Sequence, residues 1–123
     1  MSEKTLHRAV CDYLRYQYPG VLFNSDLAGS MKLTIGQAMA MKNLRSNRGF
    51  PDISIYEPRK GYHGLFIEIK VEGTKLLNKS LQPATPHINE QYEVLIALRE
   101  KGYKCEFGVG FDECKKIIDE YLK

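Results

Sequence analysis

GFPDISIYEPRKGYHGLFIEIKVEG, residues 49–73, reads as two strands joined by a turn, with two acids and a lysine placed on them. Ile53 and Ile55 alternate with Ser54 and Tyr56 directly after Asp52, which is the two-residue period of a half-buried strand. Glu57-Pro58-Arg59-Lys60-Gly61 then forms a turn whose Pro and Gly end that strand. The second strand runs from Leu65 to Val71. Side chains alternate across a strand, so Leu65, Ile67, Ile69 and Val71 take one face and Phe66, Glu68 and Lys70 the other. An acid and a lysine side by side on an apolar strand require a reason.

A solvated face would account for Glu68 and Lys70 alone, with Asp52 a coincidence. If the two strands form a hairpin that brings Asp52 alongside Glu68, two carboxylates converge, and like charges that close need a proton or a cation between them. Hard oxygen ligands with open positions suit Mg2+ or Mn2+. A lysine beside such an ion can orient or deprotonate a water, or stabilise a charged transition state.

Pro51-Asp52, a spacer and Glu68-Ile69-Lys70 together resemble the PD-(D/E)xK nuclease superfamily. The run NRGFPDISIYEP, then HGLFIEIK, then a glutamine-bearing helix ending in Gly102-Tyr103, then a last strand and helix, is similar in order to the VRR-NUC family in its stand-alone viral or bacterial form. The resemblance extends over nearly the whole chain and implies a restriction-endonuclease-like α/β fold: an α-β-β-β-α-β core, a mixed central sheet flanked by helices, and an extra C-terminal helix. It implies a metal site of Asp52, Glu68 and the backbone carbonyl of Ile69, with Glu3 at a second ion sharing Asp52. It also implies that Lys70 and Gln91 act in catalysis and that Asn24 points toward the site.

Composition bounds the alternatives. With 123 residues the chain is expected to be one domain, and 43% hydrophobic with 27% charged residues is the balance of a globular protein. No apolar run approaches the roughly 18 residues of a membrane span, and MSEKTLHRAV lacks the form of a signal peptide, so a cytosolic protein is expected, and the resemblance implies a phage or bacterial one. Lys and Arg outnumber Asp and Glu by 18 to 15; if some of the acids hold metal, the surface is more basic than that difference suggests. Cys11, Cys105 and Cys114 are odd in number and scattered, which argues against a disulfide framework or a zinc site and for small buried or half-buried thiols.

Taken in order, Ser2 caps a first helix with Glu3 in its first turn and Leu6, Ala9, Val10, Tyr13, Leu14 and Gln17 at helical spacing, stopped by Pro19-Gly20. Glu3 suits the helix dipole as well as the implied ion. Residues 21–24 make a short strand and 25–30 a loop, in which Asn24 also fits turn chemistry. Thr34 and Gln37 form a capping box opening a second helix through about Leu44, whose Ala38, Met41 and Leu44 share a face of the kind usually found in a core. Lys42, Arg45 and Arg48 gather just before Asp52, either as a solvated helix end or as phosphate contacts on DNA. Residues 74–86, with Lys75 and Lys79, lack periodicity and read as a flexible loop near the substrate. A third helix is expected over 87–101 with Ile88, Tyr92, Leu95 and Ile96 on one face and Gln91 in its first half, where an exposed glutamine needs no explanation apart from the resemblance. A strand over 103–109 and a helix capped by Asp112, with Ile117, Ile118, Tyr121 and Leu122 as its stripe, close the chain. His7, His63 and His87 show no shared pattern, so no histidine-based chemistry is expected.

The function expected from these readings is metal-dependent cleavage of phosphodiester bonds. The stand-alone members resembled here are associated with homodimers that cut branched DNA such as four-way junctions, and a two-fold pair of sites suits symmetric incisions. Tyr13, Tyr16, Tyr18 and Tyr62, or the segment from Met31 to Met41, could supply the dimer contact. A flap, nick or restriction-like nuclease shares the same site; an inactive DNA-binding module, or a protein unrelated to nucleic acid, does not need its acids and lysine.

Overall fold

The computed structural model describes residues 1–26 and 32–123. Eight elements follow in order: α1 (Glu3–Gln17), β1 (Phe23–Ser25), α2 (Ile35–Asn43), β2 (Ile53–Ile55), β3 (Leu65–Lys70), α3 (Pro86–Glu100), β4 (Lys104–Val109) and α4 (Phe111–Leu122). Most of the expected loop at 25–30, and Met31 of the expected interface segment, lie outside the described residues; Ser25 itself belongs to β1.

The strands form one mixed sheet in the order β1-β2-β3-β4, as the α-β-β-β-α-β reading expects. The central strand β3 is antiparallel to β2 and parallel to β4. The first pairing is closed by the tight turn Arg59–Tyr62, in which Lys60 and Gly61 both have positive φ, the signature of a type I′ hairpin turn. The second needs a crossover, which α3 supplies.

The alternation read from β3 sorts its residues between two cores. Leu65, Ile67 and Ile69 are fully buried against Leu6, Val10 and Leu14 of α1 and Cys114, Ile118, Tyr121 and Leu122 of α4. Phe66, on the opposite face, packs with Ile88 and Leu95 of α3 and Cys105 and Phe107 of β4. Helices therefore cover both faces of β3, which is why its sequence is nearly all apolar, and why Glu68 at 2% exposure stands out.

Helix starts follow local chemistry. Ser2 Oγ accepts from the Thr5 N–H at 3.1 Å, Thr34 and Gln37 form a reciprocal capping box, and Thr85 caps α3 with Pro86 in its first turn, one residue earlier than the periodicity indicates. Four expectations are corrected. Asp112 does not cap α4: Gly110 holds the cap position at φ 86°, and Asp112 sits inside the first turn where its charge meets the helix dipole. Ile96 is 49% exposed, and the buried stripe of α3 runs instead through Ile88, Gln91, Val94 and Leu95. Among the described residues, α2 buries none of its own, and Ile35 and Met39 stand open with Leu44 just beyond, because neither core reaches it. The segment 74–86 has more local structure than its lack of periodicity indicates: Leu77 bridges Pro83, and the Asn78 side chain accepts from the Ser80 and Gln82 N–H groups.

All three cysteines are free. Burial pushes the Cys105 and Cys114 thiols up, to about 11 and about 12, so both are inert packing groups.

Candidate active site

The hairpin register pairs Ile53 with Ile67, and continuing it by one residue sets Asp52 across from Glu68. The Asp52 carboxylate is fixed there by the Ile69 N–H, which donates to its Oδ2 at 2.8 Å. Asp52 is 8% exposed. Two buried carboxyl groups thus meet where β2 begins, as the spacing of the two strands implied.

Glu68 cannot carry its charge easily there. Burial, and then the Asp52 carboxylate, push it up to about 9, and the Lys70 ammonium offsets only part of this. Lys70 Nζ lies 3.8 Å from Glu68 Oε1, with its side chain 15% exposed. Gln91, buried on α3, donates through Nε2 to Glu68 Oε1 at 2.6 Å. The same nitrogen lies 3.2 Å from His87 Nε2, one helical turn earlier. Gln91 is therefore part of the carboxylate cluster and not an exposed helix glutamine.

Gly49 sets that helix in place. Its φ is +80°, and a Cβ there would meet the Gln91 nitrogen and the Glu90 carbonyl group of α3 at 3.0 Å. Gly49→Ala is expected to cost about 1–3 kcal/mol of stability through strain and collision, read in chemical denaturation. By displacing Gln91 it should also lower the rate of any reaction at this site by up to about 10²-fold, read in a single-turnover assay.

From α1 come two further groups. Glu3 and His7 lie one turn apart, and His7 Nε2 is 3.6 Å from Asp52 Oδ2 and 4.0 Å from Glu3 Oε1. Glu3, His7 and Asp52 can bring one ligand atom each within 4.8 Å of one another. His7 is fully buried, and its position was not found from the sequence; the i,i+4 spacing from Glu3, on the same stripe as Leu6 and Val10, was the available signal.

Several buried polar atoms here have no hydrogen-bond partner among the described residues: both ring nitrogens of His7, Glu68 Oε2 and Gln91 Oε1. Leaving such groups unmade costs about 1–3 kcal/mol each, and with Glu3, His7 and Asp52 able to bring their ligand atoms together, a divalent cation fits as a missing partner. Glu3 and Asp52 offer oxygen to such an ion and His7 offers nitrogen.

The basic residues expected at DNA divide. Lys42, Arg45 and Arg48 line one cleft of about 620 Å³, which Gly49, His87 and Glu90 also line. Arg45 is partly engaged, donating to Asp26 Oδ2 at 2.6 Å. Asn24 is exposed on β1, paired with Ser54, and lines a second cleft with Arg45, Tyr56 and Phe66; among the described residues no hydrogen bond joins it to the carboxylates. Lys75 is exposed in the loop after β3. The Tyr13 and Tyr18 hydroxyls both donate to Asp119 of α4, at 2.6 and 2.5 Å, and their rings are half-buried. Tyr16 remains 84% exposed.

No protein-family model matches the chain, and no curated protein does. A solved structure described as a VRR_NUC domain protein is similar to it with a TM-score of 0.69 and 26% sequence identity, over 99% of this chain and 88% of that one. No described helix is long and apolar enough to cross a membrane.

Proposed function

We propose that this chain, similar over nearly its whole length to a VRR_NUC domain protein, is a metal-dependent endodeoxyribonuclease acting on branched DNA. The observation that carries the reading is the buried cluster of Asp52, Glu68, Lys70 and Gln91 with its unpartnered oxygens, because a merely structural cluster would have satisfied them.

Asp52, Glu68 and the Ile69 carbonyl would hold a Mg2+ or Mn2+ ion, and Glu3 with Asp52 a second. When bound, such an ion activates a water and stabilises charge on the phosphoryl oxygens. The chain's own groups have separable tasks. Asp52 is held to its position by the Ile69 N–H, so its carboxylate needs no reorganisation on binding. Gln91 orients the Glu68 carboxyl through the 2.6 Å hydrogen bond. Lys70, on the same face as Glu68 and partly open to solvent, orients the attacking water or neutralises charge gathering on the phosphate. Lys42, Arg45 and Arg48 carry the DNA backbone along the cleft toward His87 and Gln91, and Asn24 and Lys75 touch it farther out.

A four-way junction needs two incisions, so the reading includes a second copy of the chain, docked through the uncovered face of α2. The deciding experiment is cleavage of labelled duplex, single-stranded, flap and four-way-junction DNA with Mg2+ or Mn2+, by the native chain and by Asp52→Ala, beside the solution mass. Expected are metal-dependent, paired symmetric cuts in the junction, loss of cutting by about 10³-fold in the variant, and a dimer mass. A flap or nick preference by a monomer would retain the nuclease and reject the junction. Junction binding without cleavage under either ion would reject the chemistry.

A further inference from the structure

We propose that His7 is a direct nitrogen ligand of the cation held by Glu3 and Asp52, and that it biases this site toward Mn2+ over Mg2+. The proposal rests on the metal-dependent reading of the site and adds to it a ligand and a metal preference.

The argument begins with the state of the imidazole. His7 has no exposed surface, and neither Nδ1 nor Nε2 has a hydrogen-bond partner among the described residues. A buried histidine that served only the core would have one nitrogen donating to a carbonyl or carboxylate, which fixes its tautomer. Here the nearest acceptors, Asp52 Oδ2 at 3.6 Å and Glu3 Oε1 at 4.0 Å, stand beyond hydrogen-bond reach yet face the same nitrogen. That spacing is what a bridging ion requires. Two carboxylates and one imidazole nitrogen lie within 4.8 Å of one another, and Glu3, with its side chain 47% exposed, leaves the site open on the solvent side for entry.

The geometry is held by elements, not by chance rotamers. Ser2 caps α1 immediately before Glu3, so the i,i+4 relation of Glu3 and His7 is fixed from the first turn. Leu6 and Val10, either side of His7 on the buried stripe, anchor the helix to β3. Asp52 arrives from the start of β2, pinned by the Ile69 N–H.

The metal preference follows from donor type. Mg2+ takes oxygen ligands and water and binds nitrogen poorly, whereas first-row transition ions accept imidazole readily. Mn2+ is the hardest of those ions, and a set of two carboxylates and one imidazole suits it.

Electron paramagnetic resonance of Mn2+ reads the ligand without any turnover. The native chain should bind Mn2+ with a nitrogen-14 coupling of directly coordinated imidazole in the pulsed spectrum. That coupling should survive in His87→Gln and vanish in His7→Gln, a variant that keeps an oxygen donor of similar reach. Counting free Mn2+ in competition with Mg2+ should show Mn2+ affinity falling about tenfold or more in His7→Gln, with Mg2+ affinity changing by less than about threefold, since the amide oxygen still serves it. Mn2+ bound to the native chain with no nitrogen coupling would overturn the role of His7 and leave the nuclease reading standing, and this spectrum decides even if His7→Gln does not fold. Coupling lost in His87→Gln, or kept in His7→Gln, would also overturn it. Absence of Mn2+ binding in the native chain, matched by Asp52→Ala, would overturn the metal-dependent reading itself.

Discussion

Glu68→Gln is expected to abolish DNA cleavage, by about 10³-fold or more, and at the same time to stabilise the metal-free protein on the order of 2–3 kcal/mol at neutral pH. The two effects share one cause. In the folded chain the Glu68 carboxyl is raised from an ordinary 4.5 to about 9, by burial first and the Asp52 carboxylate second, so at pH 7 it is protonated. The unfolded chain has released that proton. Folding must therefore take a proton up, and stability falls as pH rises from about 4.5 until the folded group itself ionises near 9. Glutamine is neutral in both states, can accept the same hydrogen bond from Gln91, and removes the proton uptake. The gain of the variant over the native chain should be absent below pH 4, grow through neutral pH and level off above about 9. Denaturation in a chelator across that range measures it, and the Tm difference at neutral pH should be roughly 5–10 °C. Adding Mn2+ should reverse the order, since the native chain gains stability by binding the ion and the variant has lost a ligand. Equal stabilities at every pH would mean that Glu68 carries its charge in the fold without cost.

The second large effect is expected at Lys70. Lys70→Met keeps the length and apolar stem of the side chain and removes only the ammonium, 3.8 Å from Glu68 Oε1. Cleavage should fall by about 10²–10⁴-fold, the range for a group that moves or orients a proton, while Mn2+ and junction DNA still bind. That pattern separates Lys70 from Asp52, whose loss should remove the ion as well. Binding isotherms for Mn2+ and DNA beside single-turnover rates make the comparison. A variant that cuts within a factor of about three of the native rate would take Lys70 out of the chemistry.

Much of this architecture was legible because one strand encodes it. The alternation of Leu65, Ile67 and Ile69 with Phe66, Glu68 and Lys70 states which residues face α1 and α4 and which face α3, and the turn at Arg59–Tyr62 brings Glu68 back to Asp52. Gln91 was legible only through family resemblance, because a glutamine on a helix looks the same in sequence whether exposed or, as here, 4% exposed. His7 was missed for a related reason: an isolated histidine on an apolar stripe has the spacing of a core residue, and only the unpartnered nitrogens distinguish it. The Met41 face of α2 failed in the other direction. Spacing records that apolar residues share a side of a helix, not whether another element arrives to cover it, and none of the described cores does. Asp112 and Gly110 differ by two positions at a helix start, and the positive φ at Gly110 decided between them.

The isolation of α2 bears on how this protein can change over time. Its nine residues are held by a capping box at one end and border the basic cleft at the other, yet contribute no buried side chain among the described residues. Substitutions on that helix carry little penalty in folding, whereas substitutions on β3 are constrained by two cores and the carboxylate pocket at once. The chain thus separates positions that folding constrains from positions that it does not: a substitution on α2 would be felt in the docking of a second copy or in the DNA contact of Lys42, and hardly at all in the stability of the fold.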